Sequence, residues 1–80
     1  MPKIEIRYFA ALREAAGRSQ EDVYTEAPDL AGLYRELQSQ YGFTLAVNQI
    51  KASLNGHWSD LESEIKDGDQ VVFIPPVAGG

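Results

Sequence analysis

Cysteine is absent from this sequence of 80 residues, and histidine occurs once, at His57. Without cysteine the chain can form no disulfide, hold no iron–sulfur cluster or thiolate-bound zinc ion, and offer no cysteine nucleophile. One histidine cannot build a multi-histidine site, so we expect no metal centre. A small domain without such cross-links depends on ordinary packing or on a partner.

Positive charge is also scarce, because seven Lys and Arg stand against twelve Asp and Glu, a formal net charge of −5. Nucleic acids and anionic membranes bind basic faces, so neither is expected as the main ligand. The acidic composition predicts basic rims on partner proteins. No apolar run approaches the roughly 20 residues that span a bilayer, and no apolar signal-peptide segment follows Met1. The predicted location is the cytoplasm.

Length is limiting as well. Eighty residues, 44% of them hydrophobic, suffice for one compact core but not for a second domain or a deep substrate cleft. We expect residues 1–74 to form the domain and residues 75–80 to form an extended tail.

The first part of the sequence predicts two strands and a short helix. Lys3–Tyr8 alternates polar and apolar residues, which is typical of a strand whose isoleucines and tyrosine are buried. Phe9 falls on the opposite, solvent-facing parity. Ala10–Ala16 consists of strong helix formers, and residues 21–26 predict a weaker strand that pairs with the first.

A longer amphipathic helix is predicted after Asp29, which suits an N-cap. Apolar residues recur at helical spacing, so one stripe faces the core. The stripe consists of Leu30, Leu33, Tyr34, Leu37 and Tyr41. Gly42 ends the helix, and Gly32 within it predicts a close approach of the helix to the sheet.

The next segment predicts a hairpin. Residues 50–54 form a strand, and Asn55-Gly56 is a strong signal for a two-residue turn. The return strand begins with His57, expected in solvent, and Trp58, expected to pack at the end of the hairpin.

The acidic segment 59–66 predicts a solvated crossing loop. Asp60, Glu62 and Glu64 could hold a hard cation, but their spacing lacks the glycine and the closing glutamate of a calcium loop. The glycines match neither the GxGxxG pattern nor a Walker A loop, so no phosphate-binding loop is predicted.

The last strand decides the fold class. Gln70–Ile74 is almost continuously apolar, which predicts a central strand, and the prolines after it end the strand because they cannot donate to a ladder. One helix must pack across one mixed sheet to bury both apolar faces. The predicted fold class is therefore α+β, a ubiquitin-like β-grasp with a sheet of roughly four to five strands on one main helix.

Small residues follow the prolines at the end of the sequence. The six positions are Pro75, Pro76, Val77, Ala78, Gly79 and Gly80. A frayed end is one interpretation. The other is a functional arm, because a stiff Pro-Pro exit followed by small residues can thread a narrow channel, reaching at most about 16–18 Å. A terminal glycine has no Cβ to keep its carboxylate from another protein's catalytic groups.

The parity of the last strand predicts a docking patch. Val71 and Phe73 are assigned to the core, so Ile74 faces outward beside the tail. Phe9 shares the outward parity, and Arg13 could rim the patch, since an apolar patch with an arginine edge fits an interface. The alternatives are that Phe9 caps a sheet edge and that Arg13 is a solvated helix residue.

Three features together resemble a known family, the sulfur-carrier small subunits of molybdopterin synthase. They are the β-grasp element order, residues 9–14 after the first strand, and residues 67–71 leading into the Pro-Pro-Val-Ala-Gly-Gly tail. The resemblance covers essentially the whole chain and is densest over residues 54–80. Thiamine-pathway sulfur carriers are similar in fold but lack the Pro-Pro-Val lead-in.

The resemblance implies a subunit of a sulfurtransferase that is not catalytic alone. A ubiquitin-activating-like adenylyltransferase that uses ATP and magnesium would adenylate Gly80, and a sulfur donor protein would convert it to a thiocarboxylate. The molybdopterin synthase large subunit would receive the tail, Gly79 included, and pass sulfur to cyclic pyranopterin monophosphate within a heterotetramer. In that family the positions matching Phe9, Arg13 and Ile74 lie at the large-subunit interface. No cofactor is expected on this chain itself.

Other functions stay open. The same tail could carry sulfur for thiamine synthesis or tRNA thiolation, since only the partner changes. A ubiquitin-like modifier joined to protein lysines would form isopeptide adducts instead of a free thiocarboxylate. A plain binding module would be unaffected by removal of Gly79 and Gly80.

Overall fold

The computed structural model describes residues 1–76. Their strands and α-helices follow the predicted order. The elements are β1 (Lys3–Tyr8), α1 (Ala10–Ala16), β2 (Gln20–Tyr24), α2 (Leu30–Tyr41), the 3-10 helix Val47–Gln49, β3 (Lys51–Leu54), β4 (His57–Ser59) and β5 (Gln70–Ile74). No helix within the described residues has the length and apolar character needed to cross a membrane.

The strands form one mixed sheet in the order β2-β1-β5-β3-β4. β1 and β5 run parallel, and the other neighbours run antiparallel. The apolar strand β5 therefore lies at the centre of the sheet, as predicted. With α2 packed across one face, this architecture confirms the α+β, β-grasp fold class.

The boundary of β2 differs from the prediction. The strand ends at Tyr24 and not at residue 26, because the chain turns toward α2 at Thr25. The Thr25 hydroxyl accepts a hydrogen bond from the Ala27 N–H at 2.9 Å and donates one to Glu36 Oε1 at 2.6 Å. This local bonding competes with the sheet ladder, as threonine side chains commonly do.

The core lies between the sheet and α2. The inward side chains of β1 and β5 are fully buried against the predicted helical stripe, with Tyr41 at the stripe's end only half-buried. Aromatic rings fill the space near that end, where the Tyr34 and Phe73 centroids lie 5.4 Å apart in an edge-to-face arrangement. Burial of each large apolar side chain contributes about 1.5–3 kcal/mol to folding.

The predicted caps of α2 are confirmed, but the prediction for Gly32 was wrong. Asp29 Oδ1 accepts a hydrogen bond from the Gly32 N–H at 2.8 Å, and Gly42 closes the helix at a φ of 73°. A Cβ on Gly32 would lie 3.3 Å from Pro28 Cδ and 3.4 Å from Ala27 Cβ. The glycine therefore makes room for the chain that enters the helix, and not for the sheet.

The acidic segment after β4 has a structural role beyond crossing the molecule. The carbonyls of Leu61 and Ser63 accept hydrogen bonds from the N–H groups of Ala31 at 2.8 Å and Leu30 at 3.1 Å. These donors belong to the first turn of α2 and have no partner within the helix. The segment thus closes the N-terminus of α2 and fixes the helix over the sheet.

The predicted turn at Asn55-Gly56 is confirmed. Both residues have positive φ, 52° and 86°, as a tight hairpin turn of the favoured kind requires. Asn55 also binds the start of β5, because its Oδ1 accepts from the Gln70 N–H at 2.8 Å and its Nδ2 donates to Asp69 Oδ1 at 2.9 Å. The hairpin is therefore fixed against the central strand.

Candidate functional site

The root of the predicted tail is anchored in the domain. Pro75, which the prediction assigned to the tail, is buried directly after β5, and Pro76 is exposed. Neither proline can donate a backbone hydrogen bond, so sheet pairing stops here. The remaining predicted tail positions, Val77, Ala78, Gly79 and Gly80, lie outside the described residues.

An open groove of about 490 Å³, here called the tail groove, runs beside this root. The start of α1, the connection after α2 and the end of β5 form its walls. Its lining residues are Phe9, Ala10, Ala11, Thr44, Leu45, Ile74, Pro75 and Pro76. None of them carries a titratable side chain, so the groove suits apolar contact and not acid–base catalysis. The structure thus brings Phe9 and Ile74 together at the tail root.

The backbone fixes the position of Phe9. This residue is the N-cap of α1 in an extended conformation, and its carbonyl accepts a hydrogen bond from the Leu12 N–H at 3.1 Å. Ala10 follows with a φ of 50°, in the left-handed region that non-glycine residues rarely adopt. The chain therefore turns sharply after β1 and leaves the Phe9 side chain 46% exposed at the groove.

Within residues 1–76 the face of the sheet opposite α2 is open, and the strand register defines its members. This outer face consists of Lys3, Glu5, Arg7, Gln20, Asp22, Tyr24, Lys51, Ser53, Trp58, Gln70, Val72 and Ile74. Val72 and Ile74 are half-buried there, whereas Val71 and Phe73 on the inner face are fully buried. The predicted parity of β5 is confirmed.

Trp58 extends the apolar part of the outer face. The prediction that it packs at the end of the hairpin was wrong, since its side chain is 67% exposed. Trp58 is paired with Ser53, which is paired with Val72, so the indole projects from the face about 10 Å from Val72. The sequence did indicate that Trp58 is exposed. A two-residue turn pairs Trp58 with the polar Ser53, so the two side chains lie on the same face of the sheet. His57 is exposed, as predicted.

Four apolar side chains together make up what we call the open patch. They are Phe9, Val72, Ile74 and Trp58. Arg13, predicted at the rim, is exposed on α1 and does not line the tail groove. Two cations lie beside the patch, since Arg7 is paired in register with Val72 and Lys51 with Ile74. Sequence parity placed Arg7 on the outer face, but only the register of β1 with β5 shows its neighbour.

A hydrogen-bonded cluster supports β1 just before Phe9. The hydroxyls of Tyr8 and Tyr41 both donate to Glu21 Oε2, at 2.6 Å and 2.5 Å, and Arg18 pairs with the other carboxylate oxygen at 3.3 Å. Burial, more than the bond to Glu21, raises the pKa of each tyrosine. The cluster links β1, β2 and the end of α2, and so it holds in place the end of β1 that precedes Phe9.

The mixed sheet on one main helix, with an apolar groove where the last strand ends, defines a ubiquitin-like β-grasp protein. The sequence profile of the ThiS family matches residues 6–80. The chain belongs to this family.

Two curated relatives and one solved structure show what the chain is similar to. A molybdopterin synthase sulfur carrier subunit from Mycobacterium tuberculosis is 34% identical over 83 residues, with 100% of each chain covered. A small archaeal modifier protein 3 from Haloferax volcanii is 29% identical over 93 residues, covering 98% of this chain and 99% of the relative. In the complex of subunits 1 and 2 of molybdopterin-converting factor from Helicobacter pylori, one chain superposes with a TM-score of 0.67 at 29% identity, covering 98% of this chain and 99% of that chain.

Proposed function

We propose that this chain is the sulfur-carrier subunit of a molybdopterin synthase. The observation that carries the proposal is the meeting of the tail groove and the open patch at the root of a Gly-Gly tail. The docking surface then adjoins Pro75 and Pro76, the residues from which the tail continues. The full-length match to a relative of that name supports the proposal, since Gly79 and Gly80 fall within the matched region.

In this proposal the tail carries the reacting atom. ATP transfers AMP to the Gly80 carboxylate and releases pyrophosphate, and sulfide sulfur from a donor protein then displaces AMP to leave a thiocarboxylate. The thiocarboxylate sulfur is the nucleophile that attacks cyclic pyranopterin monophosphate, and hydrolysis of the resulting thioester leaves the sulfur on the pterin and returns Gly80 to a carboxylate. Gly79 and Gly80 have no Cβ, so the reacting carbon is accessible to the catalytic groups of another protein.

The catalytic groups of the proposed reaction belong to the partners. The activating adenylyltransferase supplies the site for ATP and magnesium, and the large subunit supplies the site for sulfur transfer. The described lining of the groove beside the tail root contributes apolar contact and includes no titratable side chain. A complex of the H. pylori neighbour with a second subunit supports a protein partner. Because each product molecule receives two sulfur atoms, we expect two carriers per complex. With two large subunits, the complex is then a heterotetramer.

The contact with the large subunit is assigned to the open patch and the tail groove. Phe9 and Ile74 line the groove, and Trp58 and Val72 continue the apolar surface across the outer face. Apolar side chains exposed in this number on a small domain are typical of an interface. Arg13 at this interface stays a prediction.

Intact mass spectrometry tests the proposal directly. The purified protein is incubated with its activating enzyme, ATP and sulfide, and we expect one oxygen to be exchanged for sulfur at Gly80. A chain that lacks only Gly80 is the matched control and should show no exchange. Adenylate formation without any exchange on the intact chain would contradict the proposal.

A modifier is the second candidate, favoured by the similarity to a small archaeal modifier protein. The same activated tail would then be attacked by a lysine amine of a target protein, which forms an isopeptide bond and releases AMP. Isopeptide adducts in cells that disappear when Gly80 is deleted would favour this function. A free thiocarboxylate without adducts would favour the carrier.

A further inference from the structure

The outer face differs in charge from the rest of the protein. It carries three cations and two carboxylates, namely Lys3, Arg7, Lys51, Glu5 and Asp22. The whole chain has seven Lys and Arg and twelve Asp and Glu, so four cations and ten carboxylates lie elsewhere. A face of net charge +1 thus belongs to a protein of net charge −5.

Two of these cations flank the open patch. The register places Arg7 beside Val72 on the β1 side and Lys51 beside Ile74 on the β3 side. Neighbouring strands lie about 5 Å apart, so each cation adjoins an apolar side chain of the central strand. Lys3 pairs with Asp22 at 3.6 Å, farther along β1 from the patch.

Arg7 is only weakly engaged within the domain. Its Nε lies 3.7 Å from Glu5 Oε2, and its side chain is 55% exposed. An exposed pair of this length is worth little, and a guanidinium has further donors in a planar fork that fits a second carboxylate. Arg7 can therefore receive an acidic group from another protein.

We propose that the outer face docks onto a partner protein whose contact surface has an apolar centre and an acidic rim, with Arg7 and Lys51 receiving carboxylates of that rim. The proposal rests on the proposed function, which supplies the large subunit as the occupant. It reverses the expectation, drawn from total charge, that the partners have basic rims. Charge complementarity at a rim speeds association and selects among partners.

Two observations limit the kind of partner and rank the two cations. Glu5 and Asp22 interrupt the cations, so the face lacks the continuous basic surface that a nucleic acid requires. Lys51 shares a second open groove, about 720 Å³, with Asp60 and Glu62 of its own chain. Both cations thus have carboxylates of their own chain nearby, and Arg7 is the stronger of the two contacts because its planar guanidinium can bind a carboxylate through two hydrogen bonds.

The experiment uses the purified large subunit of molybdopterin synthase from the same organism as the probe. Binding of wild type, Arg7→Glu and Lys51→Glu is measured over a series of salt concentrations. Arg35→Glu is the matched control, since Arg35 is exposed on α2, away from the outer face. We expect Arg7→Glu to weaken binding about five- to thirtyfold and to flatten its salt dependence, with a smaller loss for Lys51→Glu. The control should change binding by less than about twofold.

Several results would overturn the proposal. They are unchanged or tighter binding by Arg7→Glu, an equal loss in the control, and no binding by the wild type. If a Trp58→Ser variant loses binding while both charge reversals retain it, the open patch remains the docking site and the acidic rim is rejected. Thermal unfolding checks that each exposed variant is folded. Failure of the proposed function appears in a separate assay, as the absence of thiocarboxylate on the wild-type chain.

Discussion

The two faces of the sheet are formed by the same strands but differ in what covers them. On the inner face Val71 and Phe73 are 0% exposed beneath α2. On the outer face Val72 is only half-buried and Trp58 is 67% exposed, although both side chains are also apolar. The difference shows that alternate residues of one region serve separate purposes, since one set holds the fold and the other offers contact.

The end of β5 joins these two roles. Pro75 is buried with the inner set and also lines the tail groove, together with Ile74 and Pro76. Uncovered apolar surface is unfavourable in water, by about 25 cal/mol for each Å² that a partner could bury. A partner that covers the outer face would therefore gain this free energy beside the root of the tail.

The largest expected effect is on the inner face. Phe73→Ala should lower the free energy of unfolding by about 3–5 kcal/mol, because it leaves a cavity beside Tyr34 in the core. Val72→Ala, the adjacent outer-face change, should cost about 1 kcal/mol or less. Urea denaturation of both variants measures the contrast. Equal losses would contradict the division between the faces.

A middle-sized effect is expected from the polar cluster at the edge of the inner face. Tyr8→Phe should cost about 1–2 kcal/mol near neutral pH, because Glu21 loses one of its two tyrosine donors. Burial raises the pKa of Tyr8 above its ordinary value, so the unfolded chain gives up this proton first. Wild-type stability should therefore hold below about pH 10 and fall above it, by up to about 1.4 kcal/mol per pH unit for Tyr8.

Denaturant unfolding curves, recorded at several pH values from neutral to strongly alkaline, check this prediction. The Tyr8→Phe variant should show a shallower alkaline decline than the wild type, and Tyr34 and Tyr41, whose pKa values are also raised, should account for the remainder. A decline of equal slope in both proteins would show that Tyr8 is not held protonated by the fold.

The smallest effect on stability is expected on the outer face. Trp58→Ser should change the free energy of unfolding by less than about 0.5 kcal/mol, since its side chain is largely exposed. Binding to the large subunit should nevertheless fall at least about tenfold. Tyr24→Ser is the matched control, because Tyr24 is also 67% exposed on this face but lies on the opposite edge strand. Equal binding losses in the two variants would reject a localised patch.

Sequence pattern predicted the elements with strong local signals. The alternation in β1, the cap at Asp29 and the turn at Asn55-Gly56 each follow from the chemistry of adjacent residues, and all are confirmed. The same alternation placed Ile74 outward and Phe73 inward. The fold class followed because one helical stripe and one central strand leave few ways to pack.

The features that escaped prediction depend on register, on how the chain enters a helix, or on contacts between distant segments. The face of Trp58 is set by the register of a three-residue strand, and the neighbours of Gly32 are set by how the chain enters α2. Glu21 gives no local sign that two distant tyrosines will bind it. The pairing of Arg7 with Val72 likewise appears only once the parallel register is known.

Sulfur transfer by a chain that lacks only Gly80 tests the proposed role of the tail most directly. The truncated and intact proteins are compared in a reconstituted reaction with activating enzyme, ATP, sulfide, large subunit and cyclic pyranopterin monophosphate. We predict no transfer by the truncated chain and an unchanged thermal midpoint, because the described core residues run from Ile4 to Phe73 and a glycine has no side chain to add to a core. Transfer at the rate of the intact protein would contradict the account.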